Sequence, residues 1–151
     1  MVDHTSGFAG FSDMLKHSLG ALVDQTAEDF VAMMTPDGVM EFPYAPPGSV
    51  REIKGRVALS SYLSRLGDIL AVDRLSEPQI HHTLTPNVVI LEFECAGRAL
   101  KTQRPYHQRY ISVITVRDGM IERYVDYWNP LVALEALDNL APLQGEAENK
   151  L

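Results

Sequence analysis

The chain reads as an α+β protein, a strongly curved, mostly antiparallel sheet wrapped around N-terminal helices. Three observations predict it. Apolar residues recur at helical spacing before Leu70, extended runs dominate residues 78–128, and short turn sequences separate those runs. Helices that precede an antiparallel sheet bury their apolar stripes on one of its faces. A long, twisted sheet then curls around them into a cone that encloses an apolar pocket.

The first helix is carried by Phe8, Phe11, Leu15, Leu19, Leu22 and Val23, whose spacings of three and four describe one face. Ser12 is its expected N-cap. Thr26 followed by Asp29 resembles a capping box and opens a second helix from Ala27 to about Met34, which the step Thr35-Pro36-Asp37-Gly38 stops. Residues 39–44 form a short strand, and the prolines of residues 45–55 keep that stretch a loop. A third helix spans residues 56–70, with Val57, Leu59, Tyr62, Leu63, Leu66 and Leu70 on its apolar side. Four strands follow at residues 78–84, 87–97, 103–116 and 120–128, rich in Val, Ile, Tyr and Phe. The Asp118-Gly119 step predicts a tight hairpin between the last two. The acidic stretch after Leu140, broken by Pro and Gly, is expected to be a loose tail to a single domain spanning residues 1–151, with its core at about 10–137.

Composition narrows the function. A net charge of −7, with no cluster of Lys and Arg, argues against nucleic acid and against an anionic membrane surface. Cys95 is the only cysteine, which excludes an internal disulfide and fits a reducing compartment. The N-terminal residues lack a basic region followed by an apolar run, so a cytoplasmic setting is expected.

The segments LVDQTAEDFVAMMTPDGVMEFP, IKGRVALSSYL, RDGMI and YVDYWNPL resemble the SnoaL-like and steroid-isomerase-like families of the nuclear-transport-factor-2-like superfamily. FPYAPPG and YWNPL are also similar to proteins near the phenazine-biosynthesis PhzA/B group. The resemblance implies the α+β cone. It covers residues 10–137 and hosts isomerases, cyclases and dehydratases beside non-enzymatic domains. It places the steroid-isomerase family's helix-one Tyr on Leu19, its base on Phe42 and its oxyanion-holding Asp on Ser112, so those three chemical groups are absent here. The pocket Trp of that family falls on Trp128.

That match sets the strand phases. If Trp128 faces the pocket, Asp126 and Tyr124 do too, because residues two apart share a face. The preceding strands then turn Gln108, Tyr110, Ser112 and Ile114 inward, and before them Val89, Leu91, Phe93 and Cys95. Asp126 among Phe42, Leu91, Phe93 and Trp128 would lose hydration, which raises a carboxyl pKa and suits it to acid–base work near neutrality. Gln108, Tyr110 and Tyr124 are candidates to polarise a substrate oxygen. His81 and His82 are strand neighbours, so only one points inward; His82 is carried in the candidate site as a proton shuttle. Phe42, Tyr44, Tyr62, Val89, Leu91, Phe93, Ser112, Tyr124 and Trp128 are the expected binding surface. The opposing expectation pairs Asp126 with Arg109 or Arg123, or leaves it at a solvated strand end.

No metal is expected, since the chain shows no HExxH, no CxxC and no 2-His-1-carboxylate spacing. No organic cofactor is expected either. Tyr127, Val125, Val113 and Ile111 make the second sheet face apolar, and a homodimer through it is expected. Two functions fit. One is an isomerase, cyclase or dehydratase for an apolar, oxygenated, ring-sized substrate. The other is a binding or dimerisation domain that uses the same pocket without chemistry.

Overall fold

The computed structural model describes residues 7–8 and 10–138. The expected tail after Leu140 lies outside them. Strand β1 is Gly7–Phe8, so the first helix starts three residues later than the apolar pattern suggests. Helix α1 is Phe11–Leu19, with Gly10 rather than Ser12 at its N-cap, and a single 3-10 turn at Gly20–Leu22 extends it. Helix α2 shrinks to Phe30–Met33. The capping box does not form. The Asp24 carboxylate takes Thr26's backbone N–H and hydroxyl, and Asp29 becomes the cap, accepting from the Ala32 N–H at 2.9 Å.

Strand β2, Met34–Glu41, runs straight through the predicted stop. The chain bulges between Met34 and Val39, which absorbs the Pro-Asp-Gly step instead of turning there. Gly38 eases the crowding at this bulge: a Cβ would sit 2.9 Å from the flexible Met34 Cε and 3.2 Å from the Ile121 carbonyl oxygen. The predicted loop contains a short strand β3, Glu52–Lys54. Helix α3, Arg56–Ile69, matches expectation except that Val57 is exposed, because it shares the solvent face with Ser61, Ser64 and Asp68 rather than the face of Leu59, Tyr62 and Leu66. Its Arg56 guanidinium holds the Met34 and Ala32 carbonyls and so pins α3 across the start of β2.

The chain passes directly from α3 into β4, Leu70–Ser76, a strand that the sequence reading missed. Next come β5, Gln79–His82, β6, Val88–Ala99, β7, Pro105–Arg117, and β8, Met120–Trp128. Asp118 and Gly119 take φ of +53° and +82°, the turn expected between β7 and β8. The sheet order is β1-β4-β6-β7-β8-β2-β3, with β5 beside β6. Every pairing is antiparallel except β2 with β8, so the sheet is mixed. Helix α4, Pro130–Leu137, was also not foreseen.

The core fills the space between the helices and one face of this sheet. Met14, Leu15 and Leu19 of α1 and Phe30 and Met33 of α2 are buried with Leu91, Ile114, Ile121 and Tyr124 from the strands. No helix among the described residues is long and apolar enough to cross a membrane.

Candidate functional site

Between α3, α4 and the inner sheet face lies a cavity of about 260 Å³. Aromatic rings make most of its wall. Phe42 packs against Tyr62, with ring centroids 5.5 Å apart, and against Trp128 at 6.4 Å. Opposite them Phe93 stacks on Tyr110 at 5.1 Å. Leu63, Leu66, Ala133 and Leu137 close the space from the helices, and Leu70 from the start of β4.

Asp126 stands on this wall. The sequence-derived phase holds along β8 from Tyr124 to Trp128, and the register pairs Ser112 with Asp126 and Tyr110 with Trp128. Towards the turn it breaks: Thr115 faces Arg123, but Val116 faces Ile121, so Glu122 is an unpaired extra residue. That bulge lets Ile121 and Tyr124 point inward together.

The Asp126 carboxyl is buried and its one hydrogen bond is accepted at Oδ1 from the Ser112 hydroxyl, at 3.3 Å. Tyr124 in turn donates to Ser112 at 2.8 Å. Because Ser112 Oγ already accepts from Tyr124, its own proton is directed to Asp126. Burial pushes the Asp126 pKa up to about 8, and the Ser112 hydrogen bond only partly opposes this. The expected competing ion pairs do not occur. Arg109 contacts Glu92 and Arg123 contacts Glu41.

The other side chains with polar groups that line the cavity are the tyrosines, Trp128 with its indole N–H, and Cys95. Tyr106 and Tyr110 hydroxyls lie 3.3 Å apart. Burial pushes the Tyr106 pKa to about 12 and those of Tyr62, Tyr110 and Tyr124 upward too, so all stay protonated and able to donate. Burial also raises Cys95, which disfavours its thiolate.

Several predicted site residues take other positions. Gln108 is buried but fully engaged. Its Nε2 donates to Tyr106 Oη and the Asn129 carbonyl, and its Oε1 accepts from the Asn129 N–H at 2.9 Å. It therefore fixes Tyr106 and the start of α4 instead of meeting a substrate. His82 is exposed near the end of β5 and does not line the cavity, which removes it as a proton shuttle. His81 pairs with Glu92 at 2.7 Å on the outer face. Tyr44 is 62% exposed and packs edge-on against Tyr127 outside the cavity, because the prolines after it carry the chain away from the sheet. Val89 and Leu91 face inward as predicted but lie in the packed core rather than at the cavity surface. Phe42, Tyr62, Phe93, Tyr110, Tyr124, Asp126 and Trp128 all line it, and Ser112 sits directly behind Asp126.

Sequence reasoning missed Tyr106 and the contribution of α4. The signal for α4 was present in Asn129-Pro130: Asn129 caps the Leu131 N–H, and Pro130 starts the helix where no backbone donor is needed. No group of three or more His, Cys, Asp and Glu side chains is close enough to hold a metal ion among the described residues.

Residues 15–124 match the SnoaL-like domain family. The chain belongs to that family. Among curated relatives it is 37% identical to the uncharacterised protein YesE of Bacillus subtilis, covering 82% of this chain and 84% of that one. It is 39% identical to the uncharacterised PhzA/B-like protein PA3332 of Pseudomonas aeruginosa, covering 83% and 88%. A solved Bacillus subtilis structure named as a candidate isomerase is 36% identical, with a TM-score of 0.73 over 83% of this chain and 91% of its own. A candidate polyketide cyclase from Xanthomonas campestris, 19% identical with a TM-score of 0.64 over 83% and 94%, shares the fold. The relatives of this SnoaL-like protein thus include a candidate isomerase, and the candidate cyclase shares its fold alone.

Proposed function

We propose that this SnoaL-like protein is a cofactor-independent acid–base enzyme, an isomerase, cyclase or dehydratase for a small, apolar, oxygenated ring. One observation carries the reading: among the described residues a single buried carboxyl, Asp126, faces a mainly apolar cavity that no cation lines. With Oδ1 held by Ser112, Oδ2 is the oxygen open to a substrate. The ionised carboxylate takes a proton from a carbon next to a carbonyl, and the C–H electron pair moves into the carbonyl to give an enolate. The Tyr110 hydroxyl donates to that oxygen. Asp126 then returns the proton to a different carbon, or to a departing hydroxyl. Phe42, Tyr62 and Trp128 hold the ring. A pKa of about 8 lets one group serve as both base and acid near neutrality.

A second reading keeps the cavity without chemistry. It is supported by Leu19, Phe42 and Ser112 standing where the family resemblance expects catalytic groups. We also propose a homodimer through the outer sheet face, where Ile111 is 43% exposed beside Val113 and Tyr127, and a cytoplasmic setting that keeps Cys95 reduced.

The test is deuterium exchange at the α-carbons of a cyclic ketone such as 2-tetralone, followed by NMR. Wild-type protein should accelerate exchange, with a rate that rises with pH and levels off above about 8. Asp126→Asn should lower the acceleration by at least about a hundredfold. Equal exchange by the two proteins would remove Asp126 from the chemistry, and no exchange by either would leave the binding-domain reading.

A further inference from the structure

We propose that the cavity receives an organic ammonium ion, a tertiary or quaternary amine on one small ring, with Asp126 as its counter-charge and the aromatic rings as its walls. The proposal uses the cavity described above but does not depend on Asp126 moving a carbon-bound proton.

The carboxyl stands inside an aromatic frame. Tyr124 and Trp128 flank it on β8 and share its face. Glu41 is the register partner of Val125, so Phe42 follows beside Asp126 on the neighbouring strand. Tyr110 pairs with Trp128, and Phe93 with Tyr110. Ring faces attract a cation through their negative quadrupole, most strongly when water is excluded.

The charges around the carboxyl agree with this ligand class. Among the described residues, no Lys, Arg or His lines the cavity. The titratable groups that feel Asp126 are Tyr106 and Tyr110 on β7, Tyr124 on β8, Cys95 on β6 and Tyr62 on α3, all neutral at pH 7. The cation nearby on α3, Arg65, is exposed and lies 5.9 Å from the Tyr62 ring centroid. An anionic ligand would oppose ionisation of the carboxyl, and a neutral one would leave it protonated with Ser112 as its hydrogen-bond partner. A bare metal ion would find one carboxylate and no second acidic ligand. An alkylated ammonium satisfies both the charge and the rings. At about 260 Å³ the cavity is smaller than most drug-sized pockets, roughly 300–1,000 Å³, which limits the ligand to a ring with few substituents.

A fixed positive charge favours the ionised carboxyl, so a proton leaves Asp126 for solvent as the ligand enters. Affinity for a quaternary ammonium should then rise about tenfold per pH unit below the Asp126 titration and level off above it.

Trp128 is the only Trp in the chain and lines the cavity, so its fluorescence reports occupancy. The probes are benzyltrimethylammonium and neopentylbenzene, which has the same shape without the charge. Both are titrated from about pH 5 to about pH 9. The ammonium should bind with the stated pH slope, and the neutral isostere without it. Asp126→Asn should lose about tenfold or more in ammonium affinity at the alkaline end while still binding neopentylbenzene, which shows the cage is folded. Phe42→Leu should weaken the ammonium several-fold and keep the slope. Flat ammonium binding across the pH range, or equal ammonium binding by wild type and Asp126→Asn, would overturn the proposal. Ketone exchange measured on the same samples separates the two readings. Ammonium binding without exchange removes the acid–base reading alone, and exchange without ammonium preference removes this one alone.

Discussion

Replacing Asp126 by Asn should stabilise the protein at neutral and alkaline pH. The folded carboxyl binds its proton more tightly than the unfolded one, with a pKa of about 8 against an ordinary value of about 3.9. Its contribution to stability is therefore complete below about pH 4 and is lost as pH rises through about 8. At pH 7 the unfolded chain has released the proton and the folded chain mostly retains it, a gap of about three pH units. At about 1.36 kcal/mol per unit, this costs the folded state roughly 4 kcal/mol. Asn has the same shape, accepts from Ser112 in the same way and never ionises. At about 2–4 °C per kcal/mol, the substitution should raise the melting temperature by roughly 8–16 °C at pH 7. Thermal unfolding followed by circular dichroism from about pH 4 to about pH 9 measures it. The two melting curves should converge at the acid end and separate as pH rises. A constant offset across the range, or a variant less stable than wild type at pH 8, would show that Asp126 is not a desolvated acid.

Three other substitutions test the surroundings. Ser112→Ala removes the one hydrogen bond that lowers the Asp126 pKa, so a carbon-13 carboxyl titration should move above about 8. It also strands the buried Tyr124 hydroxyl, at a cost of about 1–3 kcal/mol in urea unfolding. Gln108→Ala leaves the Asn129 N–H without its acceptor, while the Asn129 carbonyl keeps the Val132 N–H, so hydrogen exchange at Asn129 should quicken and stability fall by about 1–3 kcal/mol. Gly97→Ala places a Cβ 2.2 Å from the Ala71 carbonyl oxygen on β4, so denaturation should show a loss of about 1–3 kcal/mol as that edge of the sheet shifts.

The inner faces of the long strands were legible because side chains alternate strictly there. One anchored residue, Trp128, orders Asp126 and Tyr124, and through the hairpin it also orders Ser112 and Tyr110. The β5 residue His82 illustrates the limit. It pairs with inward-facing Val89, yet lies near the end of its strand, where phase no longer implies cover. Gln108 shows a different limit. Its orientation was right, but alternation does not say which partner a side chain meets, and Asn129 belongs to an element that was not foreseen. Short elements were the least legible. Strands β1, β3 and β4 and helix α4 depend on neighbours far away in sequence, and β4 has no turn to separate it from α3.

The Glu122 bulge links this local geometry to function. Next to the hairpin turn, Val116 and Ile121 close the core; farther along, Asp126 faces the cavity. A regular strand cannot place both Ile121 and Asp126 inward, because they lie five residues apart and would occupy opposite faces. The extra residue reconciles them, and its own side chain pairs with Arg117. With Ile121 inward and no bulge, Asp126 would emerge on the face of Arg109 and Arg123 as one more member of a surface ion-pair network. There its pKa would stay ordinary and exposed pairing would contribute little. The raised pKa, the vacant Oδ2 and the absence of a competing cation thus share a single cause, the change of strand phase at Glu122. The same carboxyl follows chemically from the Ser112 pairing. The family resemblance expects an acid at Ser112, and here its cross-strand partner supplies one to the same part of the cavity wall.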